Sequence, residues 1–115
     1  MRRVVAALML PVAVSMTGTI GAQERVTPQR QQALVRMVRQ DCGACHGIRL
    51  NGGLGPALTP IALADKPLDA MVATIVHGRP GTPMPPWRAM LNETEARWIA
   101  EQLALGFPEE QRPTR

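Results

Sequence analysis

The sequence predicts a small all-α domain, on three observations. Apolar residues recur at helical spacing in three separated segments of the 115-residue chain, and no stretch reads as a credible strand. Helix start and stop residues bracket those segments. The first of them runs into Cys42-Gly43-Ala44-Cys45-His46, a C-x-x-C-H pattern that attaches a c-type haem. A porphyrin gives so small a chain the apolar centre that its few aromatic residues cannot.

The chain opens with a leader. Arg2 and Arg3 form a basic n-region, Val4 to Met16 is apolar apart from Pro11 and Ser15, and Thr17 to Ala22 is small and turn-prone. That order is a secretory signal peptide, with cleavage expected near Ala22 and residues 1–22 removed. An uncleaved anchor is the alternative. Val4 to Ile20 is short for it and includes Pro, Ser, Thr and Gly, against the roughly 20 apolar residues that a span needs. Export to the periplasm agrees with the haem motif. The remaining 93 residues, 23–115, make one domain with a helical core over about 28–106.

The elements follow in order. Thr27 and Pro28 are an N-cap and a first helical residue. The helix runs to about Gln40, with Leu34, Val35 and Val38 on one face and Arg and Gln on the other. Gly47, Gly52, Gly53, Gly55 and Pro56 make 47–58 a loop. Thr59-Pro60 caps a short helix to about Ala64. A further helix runs from about Pro67 to His77, with Leu68, Val72, Ile75 and Val76 inward. Four prolines and two glycines exclude regular structure from 78–86. Asn92 and Glu95 form a capping box for the last helix. That helix turns Ala96, Ile99, Ala100 and Leu103 inward and stops at Gly106. The tail from Pro108 onward reads as frayed.

Cys42 and Cys45 are the chain's two cysteines. Placed three positions apart, both reach the vinyl edges of one porphyrin, and the adjacent His46 is carried under the iron as proximal ligand. A thioredoxin-like pair needs a βαβ context. A zinc site from Cys42, Cys45, His46 and His77 lacks the usual second ligand pair at short spacing. A disulfide gives no reason for the following His.

Net charge adds an exclusion. The leader holds two of the 13 basic residues, leaving eleven against nine acidic ones. Two haem propionates bring that near neutrality, and no basic run is present. Nucleic acid is therefore not an expected partner.

The sixth iron ligand is sought among Met37, Met71, Met84 and Met90. Met37 and Met71 fall in helical patterns and read as core. Met84 stands in Thr82-Pro83-Met84-Pro85-Pro86-Trp87, where prolines lower the entropy lost in holding a thioether on a metal. Met84 is the leading candidate; Met90, His77 and an open position are the alternatives. Gly78 and Gly81 bound this stiff loop. A swapped loop between two chains, with His77 replacing Met84, is accordingly the alternative to a monomer.

The helix, Cys42-Gly43-Ala44-Cys45-His46-Gly47, Leu54-Gly55-Pro56-Ala57-Leu58, Ile75-Val76-His77-Gly78, Met84-Pro85 and the Trp-bearing last helix together resemble the monohaem class I c-type cytochromes. The resemblance spans about residues 28–106. It implies a fold whose first and last helices cross, with one covalently bound haem c between loops. It also implies that the Pro56 carbonyl takes the free ring N–H of the proximal His46. Trp87 is expected to pack on the porphyrin or bond a propionate, with plain core filling as the alternative. The wording of 38–43, 52–60 and 77–87 is similar to the cytochrome c-55X family of denitrifying bacteria. That narrower likeness implies an electron carrier, not an enzyme, serving the haem-d-containing nitrite reductase. The alternatives are an electron acceptor in haem d maturation and a haem-based ligand binder with an open iron.

Overall fold

The computed structural model describes residues 24–112; the expected signal peptide and its cleavage point lie outside them. Thr27 accepts a hydrogen bond from the Arg30 N–H at 3.3 Å and Pro28 follows it, starting α1 (Pro28–Met37). The path then continues past the expected end near Gln40. Val38–Cys42 forms a π turn and Gly43–His46 a short helix, α2. The Gly43 N–H bonds the Val38 carbonyl, a five-residue step that widens the helix by one residue. Nothing breaks the helix before Gly47, whose φ of +90° ends it. The motif therefore sits on helical backbone.

Thr59 and Pro60 start α3 (Pro60–Leu63), with the Thr59 hydroxyl accepting from the Ala62 N–H. Helix α4 (Leu68–His77) follows Pro67 and ends at Gly78, φ +68°. Helix α5 (Glu93–Leu105) carries the expected capping box. Asn92 Oδ1 accepts from the Glu95 N–H at 2.8 Å, and Glu95 Oε2 accepts from the Asn92 N–H at 3.0 Å. Among the described residues there is no strand.

One apolar cluster joins these pieces. Leu34 and Val38 come from the first helical path, Met71 and Val72 from α4, and Ala96, Ile99, Ala100 and Leu103 from α5. Ala96 and Ala100 are fully buried, and their small side chains keep that face of α5 thin where it joins the cluster. Helices α3 and α4 pack against α5. Leu68, Ile75, Val76, Trp87 and Trp98 are half-buried at the edge of the cluster.

Two further features depart from expectation. Leu50, inside the Gly-rich loop, is a core residue at 3% exposure with φ +59°. That conformation costs about 1–2 kcal/mol, offset by the ~1.5–3 kcal/mol of burying a leucine. The tail does not fray at Pro108. Arg39 Nη2 donates to the Phe107 and Pro108 carbonyls, each at 2.9 Å, and its guanidinium lies 5.6 Å from the centre of the Phe107 ring. Phe107 in turn meets Trp98 edge-on at 6.4 Å.

Candidate haem site

The site is built upward from a loop that folds back over the C-x-x-C-H backbone. The Gly55 N–H donates to the Cys45 carbonyl and the Gly52 N–H to the His46 carbonyl, both at 2.8 Å. Gly53 and Gly47 are small for the same reason. An added Cβ would lie 2.8 Å from the Cys45 carbonyl oxygen at 53, and 2.6 Å from the Gly52 oxygen at 47. This close backbone wrap brings Pro56 to His46.

His46 Nδ1 lies 2.7 Å from the Pro56 carbonyl oxygen. A carbonyl only accepts, so Nδ1 carries the proton and Nε2 keeps its lone pair for a metal. Gly55 leaves room for the ring: a Cβ there would stand 2.8 Å from Cε1 and Nδ1. The structure thus brings together His46 and Pro56, the pair that the resemblance implied. It adds Gly55, which the sequence marks only as part of the 47–58 loop.

Cys42 and Cys45 are unbridged. Cys42 is half-buried and Cys45 exposed. Burial, with the Asp41 carboxylate beside it, pushes the Cys42 thiol up to about 11. A thiol held protonated in this way is the reverse of the activated thiolate of a redox pair. No group of three or more His, Cys, Asp and Glu side chains among the described residues could hold a metal ion by itself. Cys42, Cys45, His46 and His77 therefore do not converge as a zinc site.

The loop 78–86 carries Met84, half-buried, in a cleft walled also by His77, Arg79 and the prolines of the loop. The Met84 carbonyl accepts from the Arg79 N–H at 3.2 Å, and the Thr82 hydroxyl bonds the Arg79 carbonyl at 2.7 Å. His77 is exposed on the rim of that cleft. Met90 is 53% exposed in the turn before α5. Met37 is half-buried against the core and Met71 buried in it. Trp87 is half-buried, and its backbone N–H bonds the Ile75 carbonyl at 3.0 Å. Arg49, Lys66, Arg79 and Arg88 are exposed.

Two thiols, an imidazole with Nε2 available and a thioether on a stiff loop fit a covalently attached haem. Comparison with known proteins agrees. The family model described as cytochrome c oxidase, cbb3-type, subunit III matches residues 29–102. Cytochrome c55X of Pseudomonas aeruginosa is 53% identical over 85 residues, which are 74% of this chain and 71% of that protein. The solved structure titled c-type cytochrome NirC superposes with a TM-score of 0.69 at 52% identity. It covers 70% of this chain and 94% of that one. The structure titled dihydro-heme d1 dehydrogenase NirN in complex with DHE gives a TM-score of 0.56 at 31% identity, covering 70% of this chain and 16% of that one.

Proposed function

Because the chain belongs to the monohaem class I c-type cytochromes, among the cytochrome c55X proteins, we propose that it is a periplasmic electron carrier for the haem-d-containing nitrite reductase. The observation that carries the haem-binding part of this reading is the His46–Pro56 contact at 2.7 Å, because it leaves one defined nitrogen for iron; the likeness to cytochrome c55X supports the partner. Cys42 and Cys45 would hold the haem through thioethers, and His46 and Met84 would be its axial ligands. When bound, the haem supplies a one-electron ferrous–ferric couple. The chain's own work is to keep the ligand set the same in both states. Pro56 fixes the imidazole and raises its basicity. The prolines around Met84 fix the thioether, a soft ligand that favours the reduced iron. Ligands held in place keep reorganisation small.

A second reading shares this ligand set: an electron acceptor in the making of haem d. The likeness to one segment of a dihydro-heme d1 dehydrogenase favours it. A reduced-minus-oxidised spectrum with a pyridine haemochrome assay on the periplasmic fraction tests the carrier itself. Stopped-flow exchange with the purified nitrite reductase and with the dehydrogenase separates the two readings. Fast exchange with the reductase alone supports the first; exchange with the dehydrogenase alone replaces it with the second.

No helix among the described residues is long and apolar enough to cross a membrane. Export of the mature chain therefore rests on the leader reading, and detection of a mature N-terminus after Ala22 by mass spectrometry tests it.

A further inference from the structure

The segment that carries Met84 returns across the end of α4, and the residue it crosses is Gly78. Gly78 is buried, with φ +68°. A Cβ added there would stand 2.7 Å from the Met84 carbonyl oxygen and 2.8 Å from Pro85 C and Pro86 N. These are backbone atoms, so no side-chain rotation relieves the collision. Three hydrogen bonds hold the crossing down. The Arg79 N–H donates to the Met84 carbonyl at 3.2 Å, the Trp87 N–H to Ile75 at 3.0 Å and the Arg88 N–H to Val76 at 3.3 Å. The strap between these bonds is Met84-Pro85-Pro86, and it lies over Gly78.

Gly81 offers a contrast within the same loop. Its φ is +79°, yet an added Cβ would meet nothing within 4 Å. Both glycines supply a backbone conformation that other residues resist. Gly78 alone also supplies the space in which the strap lies.

We propose that Gly78 is the positioning residue of the distal ligand: its missing side chain sets the depth at which the Met84 backbone seats. The proposal rests on the reading of Met84 as that ligand. Pro83, Pro85 and Pro86 each fix φ, so the strap does not absorb a displacement by bending at those residues. A push at residue 78 is passed to Met84 as a shift of the whole strap. A haem held by Cys42, Cys45 and His46 would not follow that shift, so the Met84 thioether would be drawn away from its iron.

The experiment compares purified ferric and ferrous holoproteins of wild type, Gly78→Ala, Gly78→Asn, Gly81→Ala and Met84→Ala. Asn tolerates positive φ better than Ala does, so Gly78→Asn keeps the collision while easing the backbone strain. The expected result is loss of the methionine–iron charge-transfer band in both Gly78 variants, with carbon monoxide binding to the reduced protein and a lowered potential. Gly81→Ala melts earlier but keeps the band and excludes carbon monoxide. A Gly78→Ala or Gly78→Asn holoprotein with the wild-type band and potential overturns the proposal. So does failure of both Gly78 variants to yield holoprotein when Met84→Ala yields it, because a residue acting only by seating Met84 cannot matter more than Met84. A wild type without the band, or a Met84→Ala protein that retains it, overturns the ligand reading instead and takes the proposal with it.

Discussion

One methyl group at residue 55 separates a free His46 ring from a displaced one. The Gly55→Ala Cβ would sit 2.8 Å from Nδ1 and Cε1, so either the ring or the loop must move. Either movement lengthens the 2.7 Å contact with the Pro56 carbonyl. A weaker bond at Nδ1 makes Nε2 a poorer donor to ferric iron, and the reduction potential of Gly55→Ala is expected to rise. Overpacking of this kind costs about 1–3 kcal/mol. Protein-film voltammetry and a thermal melt check the two effects, and an unchanged potential would mean that the ring has not moved. Pro56 was legible through the family resemblance of its loop. Gly55 was not, because a Gly-rich stretch looks the same whether a glycine is needed for its φ or for its emptiness. Leu50 was hidden by the same stretch: a leucine in a turn-rich loop gives no sign that it faces the core at φ +59°.

At the scale of the elements, Glu95 serves two at once. It closes the capping box of α5 through the Asn92 N–H, and it pairs with Arg30 of α1 at 2.6 Å. Arg30 also donates to the Met90 carbonyl at 3.2 Å, so the starts of both terminal helices are tied together. The Arg30 hydrogen bond, helped by the Asn92 N–H and opposed by partial burial, holds the Glu95 carboxyl below its usual range. A depressed carboxylate stabilises the fold at every pH above its unfolded value, and that contribution disappears as pH falls through the folded value. Wild type should therefore lose stability on acidification below about pH 4.5 more steeply than Glu95→Gln, which has no charge to lose. Glu95→Ala removes both partnerships and should cost roughly 1–2 kcal/mol at neutral pH. Denaturant melts at pH 7 and pH 3.5 test both statements, and parallel pH dependence in wild type and Glu95→Gln would refute the linkage. The capping box was readable from Asn92 and Glu95 because its partners are three residues apart. Arg30 was not, since its partner lies 65 residues away. The π turn was equally unreadable: a five-residue hydrogen-bond step leaves no mark on composition. Arg39, within that turn, reaches Phe107 and Pro108 in the same long-range way, so the anchoring at the start of the tail was not legible either.

The whole molecule has few aromatic residues, Trp87, Trp98 and Phe107, and its buried apolar set is made of Leu, Val, Ile, Ala and Met side chains. A domain this small needs a further source of cohesion, and the covalently bound haem supplies it. Cys42→Ala or Cys45→Ala should therefore fail to accumulate as stable holoprotein; a folded, haem-free mutant at wild-type level on haem-stained gels and by far-UV circular dichroism would contradict this. Partner choice belongs to the same scale. Leu54 is 95% exposed beside the proximal loop, while Pro85 and Pro86 are exposed on the distal one. Arg79 and Arg88 flank that distal strap and are also exposed. The expected docking face has these apolar residues at its centre and Arg79 and Arg88 at its rim; it would suit a small, weak contact, in which charge steers the encounter and little area is buried. The eleven basic and nine acidic residues of 23–115 nearly balance, so steering must come from where the charges sit and not from their sum. Reversing two cations to Glu changes the local charge by four. It leaves the hydrogen bonds of Arg79 and Arg88 intact, because those run through their backbone N–H groups. Arg79→Glu with Arg88→Glu should thus retain the spectrum and melting temperature while slowing exchange with an acidic redox partner. The slowing should be about ten-fold or more at low salt and shrink toward none as the Debye length falls below about 8 Å. Stopped-flow rates across ionic strength provide the measurement. Equal rates for wild type and double mutant at every salt concentration would move the docking face elsewhere on the molecule.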